Sequence, residues 1–353
     1  MEAVHALTIL LNQHFSWDLR HIDFVAKFLI TLIKVRSVNL TKIANSFPGK
    51  AKIESHYKRL QRFFRGFQID FAVIAIFIAS LLPDQNGFIL TLDRTDWKLG
   101  KIPINILVLG IAYKGAAFPI LWCFLSKKGN SNTKERIELF ERFFDIFGKE
   151  HIKYITCDRE FIGEDWFGYL LKSKVEFRIR VRENFKVPNS SGKIIPVRLL
   201  FRHLKINVKS VLRKPRLIDG HKLYISGMRL LDGDYLIVVS PNYTFTAIED
   251  YARRWEIETL FGCLKTRGYN FEETHITKKE RIERLLALLA IAFAWAHIIG
   301  EWLNDQKPLK IKKHGRLTKS IFRYGLDTLQ NVLSNFNYKK DEFYLLIRFL
   351  SCT

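Results

Sequence analysis

Three acidic residues and a short basic stripe are the side chains whose placement could do chemistry. Asp93 closes the apolar run GFILTLD, and Asp158 closes YITCD, each where a strand is expected to end. A carboxylate held by a rigid strand terminus is well placed to bind a metal ion. Hard cations such as Mg2+ take oxygen ligands and keep several waters, so two or three converging carboxylates make an adequate site. Taken singly, either aspartate could instead form a turn or cap a helix. Asp96 rivals Asp93 and Asp165 rivals Asp158, but both lie beyond the expected strand ends, where turn or capping roles are more natural.

The third candidate comes from residues 251–265, YARRWEIETLFGCLK. At about 100° per residue with Tyr251 at zero, Arg254 falls near 300°, Glu258 near 340° and Lys265 near 320°. These four share an arc of roughly 60°, whereas Arg253 near 200° and Glu256 near 140° point elsewhere. Glu258 is therefore grouped with a tyrosine, an arginine and a lysine. Arg254 and Glu258 are also an i,i+4 pair, which would stabilise an ordinary surface helix without any further role.

These residues need elements to position them. Residues 1 to about 85 have apolar positions recurring at three and four, which predicts an all-helical region. Within it, NLTKIANSF, PGKAKIES and HYKRLQRFFRGF read as helix, turn, helix. The second helix carries Lys58, Arg59, Arg62 and Arg65 among Tyr57, Phe63 and Phe64, which suits a DNA-docking helix or, equally simply, an amphipathic helix with a solvated basic face. Residues 88–93, 104–113 and 117–125 read as three strands, followed by a helix over 133–148, a strand YITCD, a helix over 162–173 and a strand EFRIRVRE. Arg178, Arg180 and Arg182 alternate on that last strand and share one face, which could line a DNA channel or be solvated. The order of elements is that of a ribonuclease H-like α/β fold with a mixed sheet.

A β-rich insertion is expected at about 185–235, then the strand DYLIVVSP, one long helix over 246–268, an apolar helix over 280–303, a basic linker and a helical tail. This gives three regions: a helical DNA-binding domain at 1–85, a catalytic domain at 86–303 and C-terminal helices at 304–353. Chain length allows it, at roughly 100 to 200 residues per domain.

Composition narrows the partners. The 57 Lys and Arg against 35 Asp and Glu leave a formal charge of +22 over 353 residues, which points to a polyanion, nucleic acid before a membrane surface. Cys123, Cys157, Cys263 and Cys352 show no CxxC spacing, so neither a zinc site nor a disulfide framework is expected, and a reducing cytosolic setting fits. The first residues, MEAVHALTILLNQHF, lack a signal-peptide pattern. Leu285–Gly300 is uncharged for 16 residues, short of the roughly 18 to 20 needed to span a bilayer, and reads as a buried helix.

The spacing Y, two residues, R, three residues, E, six residues, K, met by Tyr251, Arg254, Glu258 and Lys265, resembles the signature of the DDE transposases of bacterial cut-and-paste insertion sequences. LDRT at Asp93 and CDREF at Asp158 resemble that family's first and second aspartate motifs, and the likeness runs from about Leu40 to Gly300. It implies a Mg2+-dependent polynucleotidyl transferase, with Mn2+ able to substitute. Asp93, Asp158 and Glu258 would hold two metal ions roughly 3.5 to 4 Å apart, serving cleavage at inverted-repeat ends and 3′-OH strand transfer. Tyr251, Arg254 and Lys265 would contact phosphates of the transposon end. Double-stranded DNA, both transposon ends and target, is the implied partner, a homodimer in a synaptic complex the implied assembly, and the bacterial cytosol or nucleoid the implied setting, with no membrane. The family's hairpin route uses a tryptophan that stacks on a flipped base; Trp97, Trp166 and Trp255 lie near motifs, but packing roles are expected for all three. Beside the resemblance, Arg59, Arg62 and Arg180 are the further DNA-binding candidates. Two other functions fit the same residues: an inactive DNA-binding relative, and a metal-dependent endonuclease without strand transfer.

Overall fold

The computed structural model describes residues 2–83, 86–313, 315 and 317–351, so Cys352 lies outside the described residues. The chain divides into two compact units: Met1–Pro83, Trp97–Ile102 and Leu260–Thr353 form unit 1, and Asp84–Asp96 with Pro103–Thr259 form unit 2.

The N-terminal region is helical as expected: α1 (Glu2–Asn12), α2 (Leu19–Val35), α3 (Leu40–Ser46), α4 (Ile53–Gly66) and α5 (Phe71–Ser80). Polar residues start these helices. The side chains of Asp18, Asn39 and Asp70 each accept a backbone N–H from the first turn of α2, α3 and α5, satisfying donors that the helix itself cannot. Helix α4 buries His56, Leu60, Phe63 and Phe64 and leaves Lys58, Arg62 and Arg65 exposed.

The next elements are β1 (Phe88–Leu99), β2 (Ile102–Tyr113), β3 (Ala116–Phe124), α6 (Thr133–Phe147), β4 (Ile152–Cys157), α7 (Glu164–Lys172) and β5 (Phe177–Val181). Short strands follow, β6 (Lys186–Pro188), β7 (Ile194–Pro196), β8 (Lys209–Val211) and β9 (Arg216–Ile218), then β10 (His221–Arg229) and β11 (Tyr235–Ser240). The main sheet runs β3-β2-β1-β4-β5-β11-β10-β8, with β9 paired to β10. Strands β1, β4 and β5 are mutually parallel, while β11 is antiparallel to β5 and β10. The β-rich segment after β5 thus extends the sheet through β8 and β10 rather than standing apart from it. Helix α6 packs on β3 and α7, and its start is fixed by a capping box between Asn132 and Glu135.

Two expectations change. Strand β1 does not end at Asp93 but continues to Leu99, with Thr95 buried between exposed or half-buried neighbours. The long helix expected over 246–268 is two helices, α8 (Ala247–Ala252) and α9 (Trp255–Leu264). Between them the backbone tightens to i→i−3 hydrogen bonds, from Arg254 N–H to Tyr251 C=O at 2.9 Å and from Ile257 N–H to Arg254 C=O at 3.2 Å. Such a turn advances by about 120° per residue, so a single wheel does not run through it.

The last helices are α10 (Lys279–Gln306), α11 (Ile321–Ser334) and α12 (Lys340–Ile347). Helix α10 is long and apolar enough to cross a membrane by composition, but 89% of that stretch is buried within the protein. Its apolarity belongs to the core of unit 1. There Gly300 and Gly325 let α10 and α11 meet backbone to backbone: a Cβ at Gly325 would lie 1.8 Å from the Ala296 carbonyl oxygen. The buried Trp295 indole donates to the Leu346 carbonyl at 2.8 Å, so the core has no unmet donor there.

Candidate active site

Strand register brings the two aspartates together. In the parallel pairing of β1 with β4, Thr91 faces Thr156 and Leu92 faces Cys157. Asp93, within β1, and Asp158, just past the end of β4, are the next residue on each side, immediately after the last paired position. The apolar residues before them are fully buried, so the sheet interior holds both backbones firmly up to that point.

The α8–α9 turn delivers the other groups. Tyr251 Oη donates to Asp158 Oδ1 at 3.2 Å. Arg254 donates through Nη1 to Asp93 Oδ2 at 3.2 Å and through Nη2 to Glu258 Oε1 at 2.7 Å. Tyr251 reaches Asp158 and Arg254 reaches Asp93, although the helix is broken between them, whereas Glu258 is joined to the aspartates only through Arg254. The break has a cause in the same contacts, since Arg253 and Arg254 are drawn in different directions. Arg253 donates to the Ala112 carbonyl at 2.9 Å and pairs with Glu256, while Arg254 turns to the acids. Glu256 is only 7% exposed and is not a surface residue at all.

Electrostatics mark Asp93 as the perturbed acid. Burial raises its pKa from 3.8 to about 7, against the lowering effects of the Arg94 backbone N–H and the Arg254 charge; Glu160 and Asp158 push it further up. Burial alone would disfavour the Arg254 guanidinium, but Tyr251, Glu258, Asp158 and Asp93 hold it charged and raise its pKa. Tyr251 is raised as well, chiefly by burial.

The donor chemistry suits a hard divalent cation, since carboxylate oxygens are the ligands such an ion takes, while the nearby Glu160 Oε1 is already ion-paired with Arg94. Among the described residues, no three His, Cys, Asp or Glu side chains converge as a finished metal cluster. Arg254 stands between Asp93 and Glu258 and supplies the countercharge there.

Residues that sequence reasoning missed hold the loop after Asp158. The Arg94 guanidinium lies 3.5 Å from Glu160 and donates to Asp96 at 3.0 Å. Arg136 on α6 is 4% exposed and donates to the carbonyls of Glu160 at 3.0 Å and Ser131 at 2.7 Å, with its guanidinium 4.9 Å from the Phe161 ring centre. A buried arginine satisfied by backbone carbonyls fixes loop geometry. Its only sequence signal was an arginine among the apolar positions of α6.

Other candidates are placed differently. Arg178 is buried and paired with Asp250 and Glu176, each at 3.0 Å, so it does not share an open face with Arg180 and the exposed Arg182. Arg180 is half-buried and close enough to Tyr251 to favour its ionised form. Trp166 is fully buried, as expected, but Trp255 is 58% exposed, with the Arg254 guanidinium 4.7 Å from its ring centre. The rivals Asp96 and Asp165 are both exposed.

In unit 1, Lys265 pairs with Glu272 at 2.9 Å and lies 5.4 Å from the Trp97 ring centre. Arg62 is exposed, whereas Arg59 leans on Phe24 and pairs with Asp23 at 3.8 Å.

Residues 89–295 match the family described as Transposase DDE domain. Among solved structures, the cryo-EM structure of a piggyBac transposase synaptic complex with hairpin DNA aligns over 98% of this chain and 83% of that chain, at 13% identity and a TM-score of 0.46. That likeness is too distant to bear on this chain's chemistry. Among curated proteins, no sequence matches.

Proposed function

The chain belongs to the transposase DDE domain family, and from that premise we propose that it cuts double-stranded DNA at the inverted-repeat ends of its element and joins the freed 3′ ends to target DNA. The observation that carries this reading is the register of β1 and β4, which sets Asp93 and Asp158 side by side while Arg254 and Tyr251 tie Glu258's helix to them. The strand order β3-β2-β1-β4-β5 supports a ribonuclease H-like sheet under the site.

Asp93, Asp158 and Glu258 would hold divalent metal, Mg2+ or Mn2+, which when bound lowers the pKa of an attacking water or 3′ hydroxyl and stabilises the leaving oxygen. Arg254 has the geometry of a phosphate clamp, with a planar fork already aimed at two anionic oxygens. A phosphodiester oxygen would take the place of one of these carboxylates, since the Arg254 side chain is otherwise buried. Tyr251 holds Asp158 in place through its hydroxyl. Lys265, Arg62, Arg59 and Arg180 are assigned to DNA phosphates, Arg59 only on release from Asp23. In this reading the helices of 1–85 dock DNA, 86–303 carry out the chemistry, and two copies, joined through the helices of 304–353, pair the ends.

The test is purified protein with Mg2+ or Mn2+ and a labelled duplex carrying the inverted repeat that flanks its element. Cleavage at the repeat end, followed by joining, is expected. Cutting without preference for the repeat would reduce the reading to an endonuclease, and binding without cutting would reduce it to a DNA-binding relative.

A further inference from the structure

Helix α4 carries Lys58, Gln61, Arg62 and Arg65 on one exposed side, at spacings of three and four residues that stack them along the helix. Arg281, in the first turn of α10, completes the group: these five side chains line one open cavity of about 430 Å3. Four of the five are cationic and none is acidic. Arg284, one turn further along α10, donates through Nη1 to the Phe64 carbonyl at 2.9 Å, which fixes α10 against α4. Gln61 and Arg281 also face a second, smaller cavity with Tyr57 and Thr41, whose lining is polar toward the start of α3.

Bringing four like charges around one cavity is unfavourable unless an anion shares it. The length of the row favours an extended polyanion. Lys58 to Arg65 spans about 10 Å of helix axis, and one strand of duplex DNA carries a phosphate every ~3.4 Å of its own axis. Four successive phosphates of a single strand therefore span the same ~10 Å of axis as the α4 row.

We propose that α4 and the first turn of α10 form a two-sided clamp on one phosphate strand of duplex DNA, with Arg281 gripping from α10 what Lys58, Arg62 and Arg65 grip from α4. This rests on the reading of the chain as a DNA-acting transposase. It adds a contact outside the helix-turn-helix segment.

The experiment is fluorescence anisotropy of the full chain with a labelled duplex, over roughly 50 to 200 mM salt, the range in which counterion release dominates. The variants are Arg281→Gln, Arg62→Gln, the double variant, Arg281→Lys, and Lys172→Gln as an exposed control on α7. Arg281→Gln and Arg62→Gln should each lower the slope of log affinity against log salt by about 1. Arg281→Lys should keep the wild-type slope, and Lys172→Gln should leave both affinity and slope unchanged. A wild-type slope in Arg281→Gln alongside a lowered slope in Arg62→Gln would leave α4 acting alone and overturn the clamp. Duplex binding by the wild type that neither substitution alters would overturn the clamp while the transposase reading stands. Wild-type protein that binds no duplex, or prefers anionic vesicles, would remove both.

Discussion

Arg254 and Arg62 carry the same guanidinium into opposite surroundings. Arg254 is 4% exposed at its side chain and divides its donors between Asp93 and Glu258. Arg62 stands in solvent beside Lys58 and Arg65. The buried arginine fixes geometry, because its partners are oxygens a hydrogen bond away in low dielectric, where interaction is strong and salt screens little. The exposed cations fix nothing by themselves. Their contribution is affinity for a polyanion, and it should vanish as salt rises. Under the proposed function, the buried arginine would hold reacting groups still and the exposed row would attract what they act on.

The sharpest way to break this contrast is to neutralise the acids. Asp93→Asn and Asp158→Asn should lower cleavage by on the order of 10³-fold or more, with Glu258→Gln close behind, while duplex affinity stays near wild type. Cleavage assays on the labelled repeat duplex check the first part and anisotropy the second. Wild-type cleavage in all three would remove the metal-site assignment. Next in size is Arg254→Gln, which leaves two carboxylates without their countercharge. Loss of about 3 kcal/mol of stability is expected, the lower end for breaking a buried pair because Glu258 is partly solvated. Arg62→Gln should change stability by no more than about 0.5 kcal/mol. Urea unfolding of the two variants, side by side, measures the difference.

The raised pKa of Asp93 gives a smaller effect with a definite sign. The native state holds the Asp93 proton up to about pH 7, whereas the unfolded chain releases it near 3.8. Its stabilising contribution is therefore full below about pH 4 and declines as pH rises to about 7. Without divalent metal, the wild type should lose stability relative to Asp93→Asn across that window, by on the order of a few kcal/mol, and run parallel to it above. Thermal melts of both proteins from pH 4 to 8 test this; parallel curves throughout would place Asp93 in ordinary solvent.

Much of this was legible in the sequence, for reasons that differ by residue. YITCD ends its strand just before Asp158, and the Tyr251, Arg254, Glu258 spacing picks out a tyrosine that reaches Asp158, an arginine that reaches Asp93 and a glutamate held by that arginine. The order of elements from β1 to β5 is also the expected one. What periodicity could not reveal is tertiary. Strand β1 runs through Asp93 to Leu99, because alternation resumes weakly at Thr95 after two polar residues. The helix breaks at Arg253–Arg254 because their partners, the Ala112 carbonyl and Asp93, belong to distant strands. Arg136 and Glu160 gain meaning only when α6 lies beside the loop after Asp158. Arg59 and Arg62 looked equivalent until Asp23 claimed one of them.

Glu256 and Glu258 offer the finest version of the comparison, since they sit two residues apart on α9 and differ in what they touch. Glu256 is buried against Arg253, whose other hand holds the Ala112 carbonyl, so it pins the turn to β2. Glu258 pairs with Arg254 and is partly open to solvent, as an acid that exchanges partners must be. Glu256→Gln keeps the shape and a hydrogen-bond acceptor but removes the charge, and should cost about 1 kcal/mol of stability with cleavage largely intact. Glu258→Gln should do the reverse, abolishing cleavage with little change in the melting curve. The two variants, measured in both assays, separate an acid that holds the turn from an acid that serves the reaction; equal loss of cleavage in both would mean that the break in the helix, and not Glu258 itself, is what the site depends on.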